Sequence, residues 1–285
     1  MTFNYLTDVN IETFIKSALA EDLGEGDHSS LASVPKEKIS KAKLIIKSEG
    51  IIAGIKLAEK IFHFVDPNLK LDMLINDGAN VKFGDIGLTV QGNAQSILKA
   101  ERLVLNCMQR MSGIATYTHK LCEILKDTKA KLLDTRKTTP NFRICEKWAV
   151  IIGGGTNYRF GLFDRIMLKD NHVDYAGGIK EALSATHQYL KQTEKQLEIT
   201  IETRTITEVK EVIEIGGVNQ IMLDNMPLDM MREAVKTINN KYLVEASGGI
   251  TENNLKEIAL TGVDFISVGA LTHSAKSLDI SLKAY

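Results

Sequence analysis

Short apolar runs, each ending in polar or charged residues, dominate the C-terminal half of the chain. The first, Leu132-Leu133, gives way to Asp134-Thr135-Arg136-Lys137-Thr138-Thr139 and then to Pro140, which cannot continue a strand ladder. The pattern recurs at Ile166-Met167-Leu168-Lys169, Ile199-Thr200-Ile201-Glu202, Ile221-Met222-Leu223-Asp224, Leu243-Val244-Glu245-Ala246-Ser247 and Phe265-Ile266-Ser267-Val268-Gly269. Runs this short, separated by amphipathic stretches, predict repeated βα units, which close most economically into a parallel α/β barrel with its helices outside. The loops after the strands of a barrel form its active face. Cations from Arg136, Lys137 and Lys169, carboxylates from Glu202 and Asp224, and amides at Gly248, Gly249 and Gly269 would then line a pocket for an anionic substrate.

A chain of 285 residues has room for a barrel and one smaller domain. Between Lys41 and Gln91 the pattern changes to short β-rich pieces such as Ala42–Ile46 and Gly87–Val90, with turns at Asp77-Gly78 and Gly84-Asp85. A helix is expected at Asn10–Leu23 and another at Lys56–Val65. Ala94–Asp127 reads as one or two helices with Gly113 as a break. The expected division is an N-terminal α/β, β-rich domain over 1–112, a barrel over 113–274, and a tail over 275–285 that returns to the first domain. Barrel helices are expected near Arg143–Val150, Gly177–Tyr189, Thr207–Ile215, Leu228–Ile238 and Glu252–Thr261.

Lys and Arg total 35 against 36 Asp and Glu, so no global charge favours nucleic acid or an anionic membrane as partner. No apolar run approaches the ~20 residues that span a bilayer. Cys107, Cys122 and Cys145 have no metal-like spacing, and Met1–Asn10 lacks the basic and apolar regions of a signal peptide. These features lead us to expect a reduced, cytoplasmic setting.

Adjacent Arg136 and Lys137 repel each other unless an anion compensates them, and Arg159 and Lys169 adjoin loops of the same expected face. Arginine suits planar carboxylates and lysine suits phosphates. Glu202 and Asp224, ending apolar strands, call for a cation, either basic side chains or a hard divalent ion such as Mg²⁺. Ser247-Gly248-Gly249 before an expected helix near Glu252, and Gly269-Ala270 further on, match the late-barrel arrangement that binds phosphate through backbone amides. Gly153-Gly154-Gly155 permits a flexible or close-packed loop ahead of Asn157, Tyr158 and Arg159. His172 reads either as a base or as a hydrogen-bonded structural histidine.

These segments together resemble the quinolinate phosphoribosyltransferases, also called carboxylating nicotinate-nucleotide pyrophosphorylases. The resemblance rests on Asp134–Pro140, Glu146-Lys147, Gly153–Gly155, Leu168–His172, Met222–Met226, Glu245–Ile250 and Ser267–Ser274, and it extends from Ala20–Asp27 to Leu278–Ile280. It implies an N-terminal α/β domain joined to an incomplete, seven-stranded α/β barrel. It also implies that quinolinate and phosphoribosyl pyrophosphate are converted with Mg²⁺ to nicotinate mononucleotide, pyrophosphate and carbon dioxide in de novo NAD biosynthesis. By the same resemblance Arg136, Arg159 and Lys169 surround the quinolinate carboxylates and Lys137 bridges toward the donor. Arg102 enters from the neighbouring subunit of a homodimer. Glu202 and Asp224 lie near the ribose and metal, and Ser247, Gly248, Gly249, Gly269 and Ala270 hold the 5′-phosphate.

The chain departs from the family at Tyr158, where many members have histidine. A tyrosine can donate one hydrogen bond to substrate but does not readily carry positive charge. Two other readings compete: a molybdenum-transport-associated homologue of the same fold, and a nicotinate phosphoribosyltransferase acting on the monocarboxylate. The intact Leu168-Lys169-Asp170-Asn171-His172 segment argues against the first, and the density of cations against the second.

Overall fold

A computed structural model describes residues 4–285. Two compact units emerge from its contacts. One comprises Leu121–Arg136 and Thr156–Gly269; the other comprises Asn4–Lys120, Lys137–Gly155 and Ala270–Tyr285.

In the second unit the β-rich segment forms β1 (Ile39–Ile46), β2 (Gly50–Ile51), β3 (Lys70–Met73), β4 (Asn80–Val81) and β5 (Ile86–Asn93). A four-stranded antiparallel sheet runs in the order Ile280–Ala284, β1, β5, β3. The tail therefore pairs with β1, Leu282 opposite Leu44 and Ile280 opposite Ile46. These side chains are buried on one face, as the period of two requires. The turns at Gly78 and Gly84 both have φ of +90°, which favours glycine. The first helix, Asp8–Leu23, begins where Thr7 accepts the Asn10 amide, and the next amphipathic helix is Ile55–Val65.

Helix Ala94–Leu125 is continuous, so Gly113 does not break it. The glycine is there for space: a Cβ at Gly113 would lie 2.2 Å from the Lys276 carbonyl oxygen. Likewise Gly153-Gly154-Gly155 is a close-packed feature. A Cβ at Gly153 would meet the Ala115 carbonyl oxygen at 2.5 Å, and one at Gly155 would meet the Thr118 side chain at 2.8 Å.

The other unit carries the parallel sheet. Its strands are β6 (Lys131–Leu133), β7 (Ile166–Leu168), β8 (Ile199–Thr203), β9 (Gln220–Asp224), β10 (Leu243–Ser247) and β11 (Phe265–Ser267), ordered β6-β11-β10-β9-β8-β7. Intervening helices include Ile179–Thr193, Ile206–Ile215 and Leu228–Ile238. Among the described residues the architecture is an incomplete α/β barrel of six strands rather than seven. Beside β6, Thr156 forms only a one-residue parallel bridge with Leu133. The ladder goes no further because the next amides turn to side chains: Tyr158 N–H donates to Asp134 Oδ1 at 2.8 Å. The helix expected from Glu252 shrinks to Leu255–Ala259. Asn254 accounts for the difference, since it accepts the Thr251 amide and donates to the Gly249 carbonyl, forming a side-chain-capped turn where the first helical turn was expected.

Candidate active site

Strand register builds the site. Leu168 pairs with Ile201, Glu202 with Met222, Asp224 with Ser247, and Ser267 with Leu133. Adjacent parallel strands lie about 4.8 Å apart, so Lys169, Glu202, Asp224 and Ser247 fall in a row along the carboxyl ends of β7 to β10.

Electrostatics within the row are coupled. Glu202 is largely buried, and its carboxyl is held above the usual carboxylate range, first by burial and then by the Asp224 charge; Lys169 acts in the opposite sense. Asp224 accepts from Asn225 Nδ2 at 2.6 Å. Asn225 itself sits in the left-handed region at φ +51° and donates its amide to the Ser247 carbonyl. Gly248 is needed beside it: its φ is +88°, and a Cβ there would lie 2.3 Å from Asn225 Oδ1. Gly249 is also left-handed at φ +59°.

Two further cations, Arg136 and Arg159, follow β6 and the Thr156 bridge beside it. Arg159 is buried, and its guanidinium is held below its ordinary pKa by burial first and by the nearby Arg136 charge second. Asp134, fully buried at the end of β6, fixes this segment by accepting from Tyr158 N–H and from Asn157 Nδ2 at 2.6 Å. Tyr158, expected to offer its hydroxyl to substrate, instead donates it to Thr200 Oγ1 at 2.6 Å. Its ring packs with Leu133, Met167, Met222 and Phe265, and burial pushes its pKa up to about 12. His172 acts locally, its Nδ1 accepting the Lys169 amide at 3.0 Å.

A buried polar belt, absent from the sequence reading, runs beneath this row. Arg165 stacks on the Tyr158 ring and donates to Thr200 and to Gln220 Oε1; Gln220 Nε2 donates to Glu245, and Ser267 Oγ donates to the other Glu245 oxygen. Glu245 has no exposed surface, and burial raises its pKa to about 7 despite these two donors. The signal was present as polar residues two or four apart, Thr200 and Glu202, Gln220 and Asp224, Glu245 and Ser247, an even spacing that places belt and site on the same face of otherwise apolar strands.

Arg102, Lys137 and Ala270 belong to the other unit. Arg102 is exposed on helix Ala94–Leu125, Lys137 is exposed at the start of the loop before helix Arg143–Ile152, and Ala270 opens the short helix Ala270–His273.

A parallel barrel sheet that presents cations, paired carboxylates and left-handed glycines at its carboxyl end defines a barrel enzyme for anionic substrates. The family models for the C-terminal and N-terminal domains of quinolinate phosphoribosyl transferase match residues 114–283 and 27–112, and the chain belongs to this family. It is 48% identical over 289 residues to the mitochondrial quinolinate phosphoribosyltransferase [decarboxylating] 2b of Nicotiana tabacum, covering 96% of this chain and 82% of that one. It is 40% identical over 277 residues to the probable nicotinate-nucleotide pyrophosphorylase [carboxylating] of Bacillus subtilis, covering 97% and 94%. The crystal structure of NadC from Streptococcus pyogenes superposes with a TM-score of 0.90 at 36% identity, over 99% of this chain and 98% of that one.

Proposed function

We propose that this enzyme transfers the phosphoribosyl group of phosphoribosyl pyrophosphate to quinolinate with decarboxylation. The products are nicotinate mononucleotide, pyrophosphate and carbon dioxide, in de novo NAD biosynthesis. The observation that carries this reading is the repulsive pair Arg136 and Arg159, one of them buried, which a planar dicarboxylate would relieve through paired charge-assisted hydrogen bonds. Lys169 would take part in holding the same dianion. The reading as a molybdenum-transport-associated homologue is not favoured, because the named relatives are carboxylating or decarboxylating transferases.

The cations orient the ring nitrogen of quinolinate toward the anomeric carbon of the donor, and positioning supplies most of the acceleration. Glu202 and Asp224 favour the electron-poor ribosyl carbon as pyrophosphate departs, while Lys137 stabilises the leaving charge. Ser247, Gly248, Gly249, Gly269 and Ala270 hold the 5′-phosphate through backbone amides and a hydroxyl. Once ribosylated, the ring nitrogen is positively charged and accepts the electrons released when the adjacent carboxylate leaves as carbon dioxide. With its hydroxyl donated to Thr200, Tyr158 contributes its ring as a wall of the site.

Mg²⁺ suits the donor set. Glu202 and Asp224 offer hard oxygen donors whose charges repel each other. The protein would thus provide two ligands, with donor phosphates and water completing the shell. When bound, the ion would neutralise pyrophosphate charge.

The reading includes a homodimer in which Arg102 enters the neighbouring site, and a cytoplasmic location supported by free, largely buried cysteines. Among the described residues no helix is long and apolar enough to cross a membrane. The proposed division keeps 1–112, 113–274 and a tail of 275–285; the boundary between the first two is supported by family-model limits at 112 and 114. The test is incubation with phosphoribosyl pyrophosphate, Mg²⁺ and either quinolinate or nicotinate. Nicotinate mononucleotide is expected from quinolinate alone; product from nicotinate alone would overturn the assignment.

A further inference from the structure

We infer that Arg110, Glu146 and Thr272 form a clamp that positions Lys137 for the phosphoribosyl donor. The inference rests on the activity proposed above and assigns these three residues as positioning residues for that reaction.

The clamp lies within one unit. Arg110, on helix Ala94–Leu125, donates through Nη1 to the Ala275 carbonyl at 2.6 Å, through Nη2 to the Thr272 carbonyl, and through Nε to Glu146 Oε1 at 3.2 Å. Glu146 is fully buried in helix Arg143–Ile152 and accepts the Thr139 amide at 2.9 Å and the Thr139 hydroxyl at 3.0 Å. Thr272 Oγ1 donates to the Lys137 carbonyl at 2.8 Å, and Arg143 Nε donates to Thr138 Oγ1 at 2.9 Å. Each residue from Lys137 to Thr139 is thus tied by a side chain from a neighbouring element, and Lys137 is an exposed residue.

A buried ion pair is a poor means of gaining stability, because desolvation offsets most of its attraction. Here the pair is used to order a loop. Arg110 and Glu146 hold carbonyls and amides of two segments, and Thr272 joins those segments through the carbonyl of the lysine itself. One of them, Ala270–His273, directly follows Gly269, which is proposed to hold the 5′-phosphate. A lysine is a flexible point charge; fixing its own carbonyl and the two residues that follow it limits where that charge can reach. The clamp therefore fixes the backbone from which the Lys137 charge is presented to the leaving pyrophosphate.

Thr272→Val keeps the shape and removes the donor; Thr272→Ser restores it. Steady-state kinetics should show kcat/KM for phosphoribosyl pyrophosphate reduced roughly ten- to a hundredfold in Thr272→Val. The KM for quinolinate and the thermal midpoint should stay near wild type, and Thr272→Ser should recover most of the activity. Unchanged kinetics in Thr272→Val, or equal losses toward both substrates, would overturn the clamp. Should Thr272→Val fail to fold, Glu146→Gln decides by the same split. If the wild-type protein makes no nicotinate mononucleotide, the proposed activity has failed. Calorimetry of phosphoribosyl pyrophosphate binding then tests the clamp by itself: weaker binding in Thr272→Val, restored by Thr272→Ser, supports it, and equal binding refutes it.

Discussion

Glu245→Gln should make the protein more stable, and by an amount that grows with pH. In the folded state burial raises the Glu245 pKa from 4.5 to about 7, although Gln220 and Ser267 both donate to it. A raised carboxyl pKa means that the folded state binds the extra proton, so stability is fullest below about pH 4.5 and is lost as pH rises through about 7. The shift corresponds to roughly 3 kcal/mol in the limit, of which about 2.5 kcal/mol develops between pH 5 and pH 8. Glutamine preserves the contacts. Its carbonyl can accept from Gln220 Nε2, which cannot flip without losing the bond from Arg165 to Gln220 Oε1, while its amide donates to a rotated Ser267 hydroxyl. Urea unfolding of both proteins at pH 5, 6, 7 and 8 reads the difference directly. A stability difference that does not change with pH would refute the reasoning, because it would mean that Glu245 does not titrate in this range.

Gly113→Ala should cost about 1–3 kcal/mol or more, measured by the same unfolding method, since its Cβ would press on the Lys276 backbone. Lys169→Ala should greatly weaken quinolinate turnover. It should also move the acid limb of the remaining activity to higher pH, because Lys169 opposes the rise in the Glu202 pKa. Arg102→Ala should lose activity without unfolding. Mixed and reassociated with Lys169→Ala, it should recover about a quarter of wild-type activity, because half the dimers then contain one intact site; no recovery would show that Arg102 does not cross between subunits.

The strands and the row of polar residues at their carboxyl ends were legible because buried parallel strands read as short apolar runs, and a charge at the end of one stands out. Lys169, Glu202, Asp224 and Ser247 could be placed on one rim from sequence alone. The strand count could not, since Thr156 contributes a single bridge and no apolar run marks it. Glycines were ambiguous for a different reason. Gly113 and Gly153 are required by the neighbours their absent side chains would strike, and sequence does not carry that information. The Glu245 belt was legible in principle as evenly spaced polar insertions, but an apolar-run reading passes over them. The Arg110 to Glu146 contact joins residues 36 apart and had no local signature.

The central claim is that quinolinate is both ribosylated and decarboxylated at this site. Quinolinate carrying labelled carbon in the carboxyl group beside the ring nitrogen tests it directly, with labelled carbon dioxide, pyrophosphate and nicotinate mononucleotide followed together. The account predicts that all three appear in equal amounts and that none forms without phosphoribosyl pyrophosphate. Pyrophosphate release with the label retained in a nucleotide, or no turnover of quinolinate at all, would contradict it.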